Sequence, residues 1–237
     1  MRSNRVAAAG FAAVAAVALS ACADDPSSTM RTFDTPQALA EANRVAAEGQ
    51  GSVTVDVDLA ANGKGSCGVR TGDFAASCRI SIADAEEVAY VMVPDGIFVR
   101  IPRGQAPEPA KPWLRVDPDD PDNALARAMA EVAVHIRDTA DIRKALPEGA
   151  SIVEKAEESV SGKRTVRYTA NVTSAGRASV LKLWVDDQDL PVKTEVRTPV
   201  EGGESVQVVA NYRDWGKPVD ITPPAPDQLS ELPALPG

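Results

Sequence analysis

Three cysteines, one histidine and a knot of carboxylates are the side chains of this 237-residue sequence with reactive chemistry to offer. Cys67 and Cys78 stand eleven positions apart, far from the Cys-x-x-Cys spacing that sets a dithiol up for redox exchange. His135 follows Glu131 by one helical turn, where such a pair is a surface contact worth a few tenths of a kcal/mol. A metal site built on it would need a second His or a free Cys, and the chain supplies neither. Asp117-Pro118-Asp119-Asp120-Pro121-Asp122-Asn123 gathers carboxylates. It lacks the alternating acids, glycine and closing glutamate of a calcium loop, so its prolines make it an acidic entry to a helix. Gly-x-Ser-x-Gly, P-loop and dinucleotide glycine patterns are absent. Trp184 and Trp215 read as packing anchors. These residues predict no enzyme, no metal and no cofactor.

The remaining cysteine has different surroundings. Arg2 and Arg5 precede a short apolar run, Val6 to Ala18, and Leu19-Ser20-Ala21 leads into Cys22. A basic start, an apolar stretch and small residues at a cleavage position make a secretory signal, and the run is shorter than the ~20 residues of a membrane span. Leu-Ser-Ala-Cys resembles the bacterial lipobox. That resemblance implies that residues 1–21 are removed and that Cys22 becomes the acylated N-terminus, holding the protein at the extracytoplasmic face of the cell membrane. Each buried methylene contributes ~0.8 kcal/mol, and stable anchoring needs more than one chain. With Cys22 acylated, Cys67 and Cys78 remain as a pair in an oxidising compartment, where a disulfide persists.

The full chain carries a formal charge of −9, and loss of Arg2 and Arg5 makes it −11. Such a surface repels nucleic acid, and no basic stripe is present; a monomer is expected.

Elements must position these groups. Residues 22–34 are polar and aperiodic, a tether with a reach of roughly 20 Å. A helix follows: Thr35 caps it, Pro36 opens it and Gly49 lies past its end, with Leu39, Ala42, Val45 and Ala46 on one face. Val53, Val55, Val57 and Leu59 then alternate with polar residues, the mark of a half-buried strand. Two short strands flank Thr71-Gly72-Asp73-Phe74, with Gly72-Asp73 at its centre. If that dipeptide is the hairpin loop, Cys67 faces Cys78, since both lie five positions from it; directly opposed residues sit within disulfide reach. A further hairpin turns at Asp95-Gly96, and Trp113 to Val116 forms a short strand. Two helices lie between Asp120 and Pro147, the first carrying the stripe Leu125, Met129, Val132 and Ile136. Five more strands with tight turns follow as an antiparallel meander, and a proline-rich tail runs from residue 223 to 237.

The predicted fold is α+β, a curled antiparallel sheet of about ten strands, an incomplete barrel cupping an N-terminal helix and a central helix pair over residues 35–222. Ten strands span ~48 Å, more than three helices of ~10 Å diameter cover; a sheet so wide curls, splits or pairs with itself, and curling around the helices gives the incomplete barrel. Nine aromatic residues remain after the signal, and alanine-rich helices leave either an apolar void or a solid alanine–valine core.

The lipobox, this order of elements and the phrase Tyr212 to Ile221, "YRDWGKPVDI", resemble the actinobacterial lipoproteins of the LprG and LppX type, similar in fold to the LolA and LolB carriers. The resemblance implies that lipid or lipoglycan acyl chains are bound in an apolar cavity for carriage in the envelope, without catalysis. By alternation, the candidate lining is Val53, Val55, Val57, Leu59, Val166, Tyr168, Leu181, Leu183, Val206 and Val208, with Leu125, Met129, Val132 and Ile136 from the helix. The alternative is a non-catalytic lipoprotein with a solid core that presents its acidic surface to a protein partner.

Overall fold

The structure, a computed structural model, describes residues 30–59, 63–81, 87–102, 108–116, 127, 134, 146–174, 176–200, 203 and 205–230. Its first element is α1, Pro36–Gln50. The Thr35 hydroxyl accepts a hydrogen bond from the Ala38 backbone N–H at 3.2 Å, and Pro36 occupies a first-turn position, where its missing N–H costs nothing. The helix runs to Gln50, two residues beyond Glu48, the last residue expected with Gly49 past the end. Gly51, at φ 78°, takes the left-handed position that stops it. The buried stripe also differs from expectation: it is Pro36, Leu39, Ala40 and Asn43, and Val45 is 56% exposed. Asn43 wins the inward place because its Nδ2 donates to the Asp189 carbonyl at 2.6 Å.

Strands β1 (Ser52–Asp58), β2 (Lys64–Arg70), β3 (Ala75–Ser81), β4 (Val88–Val93), β5 (Gly96–Arg100) and β6 (Trp113–Val116) form one antiparallel meander. A second comprises β7 (Ser151–Val160), β8 (Lys163–Ser174), β9 (Arg177–Val185), β10 (Pro191–Pro199) and β11 (Ser205–Arg213). They join where β1 pairs antiparallel with β11, Val55 opposite Tyr212 and Val57 opposite Ala210. With β12 (Leu229–Ser230), which runs parallel to β6, the result is one 12-stranded open sheet ordered β12-β6-β5-β4-β3-β2-β1-β11-β10-β9-β8-β7.

Among the described residues the sheet has twelve strands, against the expected ten or so: the short strand Trp113–Val116 brings the two meanders to eleven, and the twelfth comes from the tail, whose two-residue strand arises from pairing with β6 and has no pattern of its own. The β4–β5 turn is Pro94-Asp95, because Gly96 already pairs with Val93. Arg115 lies over Gly96, where an added Cβ would meet its Nε at 3.2 Å, and donates to the Asp95 carbonyl at 2.8 Å.

From β11 the chain crosses the outer side of the sheet. Gly216 N–H donates to the Ser52 carbonyl, and the Ser52 hydroxyl donates to the Lys217 carbonyl. Val219 then seats against Gly68, where a Cβ would lie 3.3 Å from it. The segment ends at β12, where the Ser230 hydroxyl bonds the Lys111 carbonyl. Of residues 117–145, Arg127 and Val134 are described and both are helical. The central helix pair, with Leu125, Met129, Val132, Ile136, Glu131 and His135, otherwise lies outside the described residues, as do the Asp117–Asn123 cluster and Cys22.

Candidate functional site: the inner face of the sheet

Alternation gives the sheet two chemically different faces. On the outer face, Arg167 reaches Glu158 at 2.6 Å, Glu154 at 3.1 Å and Thr169 at 2.6 Å. Trp184 Nε1 donates to the other Glu158 oxygen at 2.8 Å, and the Lys193 ammonium sits 4.6 Å from the centre of the Trp184 ring. The Trp184 N–H, then Arg167, hold Glu158 below the usual carboxylate range; Arg167 does the same for Glu154. Further along, Arg213 pairs with Asp56 at 2.6 Å and lowers its pKa. These contacts knit strands together, and the Trp184 ring is covered.

The inner face is apolar and carries α1. Fifteen residues make a helix ~22 Å long. Just before it, the Phe33 N–H donates to the Tyr168 hydroxyl on β8 at 3.1 Å. Near its end, the Thr71 hydroxyl after β2 donates to the Ala47 carbonyl. From β8 to β2 is five strand spacings, ~24 Å, so α1 lies across the middle of the sheet at one end of the strands. Leu39 and Ala40 pack with Phe33, Val166, Tyr168, Ala170, Leu181 and Leu183 in one cluster. Of the candidate lining, Val166, Tyr168, Leu181 and Leu183 are thus closed in by α1 and the segment before it.

A second cluster occupies the inner face of β1 to β6 and β11. Val53, Val55, Val69, Ile80, Tyr90, Met92, Val99, Leu114 and Tyr212 are buried there, together with Cys67 and Cys78. Cys67 lies directly opposite Cys78, and their sulfurs are bonded, with Cα atoms 4.1 Å apart. Burial raises the pKa of Tyr90 and of Tyr212, whose hydroxyl shares a hydrogen bond with Thr194. Trp215 stacks on Tyr212 at 6.2 Å, and its Nε1 donates to the Pro191 carbonyl.

Between the clusters, burial is graded along three neighbouring strands. On β1, Val53 and Val55 are buried while Val57 and Leu59 are half-buried. On β11, Tyr212 and Ala210 are buried, Val208 is half-buried and Val206 is 39% exposed. On β10, Val192 and Thr194 are buried, whereas Val196 and Thr198 are half-buried. All three gradients run the same way, from closed at the α1 end to open at the other. Val57, Leu59, Val196, Val206 and Val208 therefore form an apolar rim. Alternation identified four of these; Val196 was missed, although it sits opposite Val208 in register.

A separate pocket of about 300 Å³ is polar, lined by Lys163, Arg164, Asp186, Asp187 and Gln188. Among the described residues no helix is long and apolar enough to cross a membrane, and no group of three or more His, Cys, Asp or Glu side chains is placed to hold a metal ion.

No protein-family model matches the sequence. SCO4650 of Streptomyces coelicolor, whose name describes it as a lipoprotein, is 32% identical over 118 residues, covering 48% of this chain and 41% of its own length. The chain thus spans about two fifths of the curated relative it matches. Among solved structures, MucB bound to MucA aligns over 82% of this chain and 58% of its own at 17% identity, with a TM-score of 0.38. The Pseudomonas aeruginosa MucA/MucB complex gives 0.36 at 18% identity, covering 81% of this chain and 60% of its own; neither score assigns a shared fold. The crystal structure of the Mycobacterium tuberculosis lipoprotein LppX aligns over 79% of this chain and 98% of its own, at 15% identity and a TM-score of 0.52. With one open sheet carrying a helix on its apolar face, this chain has the fold of the lipoprotein LppX.

Proposed function

We propose that this protein is a membrane-anchored envelope lipoprotein that takes lipid or lipoglycan acyl chains into the apolar space above the inner face of its sheet. One observation carries the reading: the inner columns of β1, β10 and β11 pass from fully buried at α1 to half-exposed valines and a leucine at the far end. Apolar side chains left open to solvent beside a closed core are a surface waiting for hydrocarbon. Ten methylenes moved there from water would gain ~8 kcal/mol before ordering costs. The LppX-like fold and the Leu19-Ser20-Ala21-Cys22 sequence support attachment through an acylated Cys22. Leu125, Met129, Val132 and Ile136, outside the described residues, are proposed as further lining. The chemistry is burial, without bond making or breaking.

Native mass spectrometry of the protein purified from its own host tests this. Co-eluting lipid adducts are expected, along with saturable uptake of a fluorescent fatty acid by the delipidated protein. Uptake should fall at least tenfold in Val206→Glu/Val208→Glu, which places charge on the rim while leaving the closed core intact. A clean unliganded mass with no uptake would overturn the proposal and favour a protein partner as the ligand.

A further inference from the structure

The open sheet has two margins, and they are finished differently. β7, at one of them, carries Glu154, Lys155, Glu157 and Glu158 and a bulge between Ile152 and Glu154. Charge and irregularity of that kind discourage another strand from pairing. β6, beside the other margin, reads Trp113-Leu114-Arg115-Val116, and Leu114 and Val116 are buried in the inner cluster. Such a strand has no protection of its own. β12 supplies it: Leu229 pairs with Trp113 and Ser230 with Leu114, and the Ser230 hydroxyl bonds the Lys111 carbonyl.

Little in β12 itself holds it there. It is two residues long, follows the short turn Pro226–Gln228 and runs parallel to β6, the less stable arrangement per residue. Pro226 and Pro233 flank it in sequence, and proline cannot donate to a ladder, so β12 cannot lengthen into a new margin. It stays because the chain from Trp215 is fastened across the outer face, at Ser52 and at Gly68. A segment attached in this way competes at a roughly millimolar effective concentration. Two residues are then enough to keep out a dilute competitor.

The margin that β12 covers is self-complementary. Two copies of β6 set antiparallel about Leu114 bring Trp113 of each copy opposite Arg115 of the other. By alternation both lie on the outer face, where a guanidinium and an indole attract through a cation–π contact. Leu114 meets Leu114 on the inner face, and Pro112 meets Val116. All four residues of β6 are engaged, against the two that β12 pairs, and the two-fold axis passes through Leu114, which β12 occupies. We infer that β12 is a self-blocking strand: it holds the β6 margin against a second copy of this chain, and its release lets two copies join through β6 into one continuous sheet. The inference is independent of the proposed lipid binding. A joint built on one short strand is small, and interfaces of that size make weak, transient dimers.

Sedimentation equilibrium of the mature chain carrying Cys22→Ser tests this, comparing the full length with a chain that ends at Thr222 and so keeps the Val219 contact. The shortened chain is expected to dimerise with a dissociation constant about tenfold lower than that of the full chain, the worth of one or two ladder hydrogen bonds. A full-length Leu229→Pro/Ser230→Pro chain should do the same, and it decides if the shortened chain folds poorly. Mild oxidation reads the register. Shortened chains carrying Trp113→Cys and Arg115→Cys should cross-link when mixed and not singly, because only the mixture sets two cysteines directly opposite. Equal association of the full-length and proline chains would overturn the inference. Dimers that show no preference for the mixed cross-link would place the joint elsewhere and overturn it too.

Discussion

Breaking the Cys67–Cys78 bond offers a calculable perturbation. The bond closes a loop with a sequence separation of 11 in the β2–β3 hairpin. On the chain-entropy model, that closure removes freedom from the unfolded ensemble worth about 3 kcal/mol. Both cysteines are almost wholly buried on the inner face, so a reductant cannot reach them in the folded protein. The comparison should be made after reduction in denaturant and refolding, in a Cys22→Ser background. All core atoms except two thiol hydrogens are then the same in both forms, and the difference isolates the cross-link. At about 2–4 °C per kcal/mol for a domain of this size, the melting temperature should fall by roughly 6–12 °C. The urea midpoint should fall by roughly 1–1.5 M with the slope nearly unchanged. Circular dichroism of the sheet follows both transitions. Coincident midpoints for the oxidised and reduced forms would refute the argument, because a formed cross-strand bond cannot leave the unfolded chain equally free.

Three further outcomes are expected. Tyr168→Phe leaves the buried Phe33 N–H without its acceptor and should cost about 1–3 kcal/mol in denaturant stability; wild-type stability would show that the segment before α1 contributes nothing. Gly68→Leu should lift Val219 from the outer face, seen as faster amide exchange over residues 217–222 with lipid uptake unchanged; unaltered exchange would contradict the close approach. The carboxylates of Glu154 and Glu158 are held low in the folded protein. Their contribution is present above their ordinary value of 4.5 and is lost as pH falls through the lower folded values. Thermal stability should therefore decline below about pH 4.5, and Arg167→Met should flatten that decline; parallel pH profiles would count against the Arg167 network as its source.

Particular residues show where sequence reasoning reached and where it stopped. The opposition of Cys67 and Cys78 was legible because a hairpin is symmetric about its loop, and the period of two carries the register outward. The second meander was legible for the same reason, down to Pro191–Pro199. Alternation names a face but not a depth. It grouped Leu181, which α1 seals, with Val206, which stays open, because the difference lies in which end of the strands the helix crosses. Val45 and Asn43 exchanged places for a tertiary reason: a backbone carbonyl after β9 rewards an inward amide, and hydrophobicity ranks the two the other way. Gly49 had open space around it, so nothing stopped α1 before the left-handed position at Gly51. Leu229–Ser230 has no strand pattern; its pairing exists because the segment after Trp215 is held across the outer face to the edge of β6.

The meeting of β1 with β11 also bears on assembly. Each meander is made of neighbours in sequence, so each can zip from its own turns. The suture between them waits for a strand whose first residue is Ser205. Until that strand exists, β1 is a bare margin with its backbone donors and acceptors unclaimed, the kind of edge that recruits a wrong chain. A chain threaded across a membrane from its N-terminus would carry that hazard through most of its emergence. Truncations that stop short of β11 should therefore yield clumped protein, with no folded half-molecule to recover.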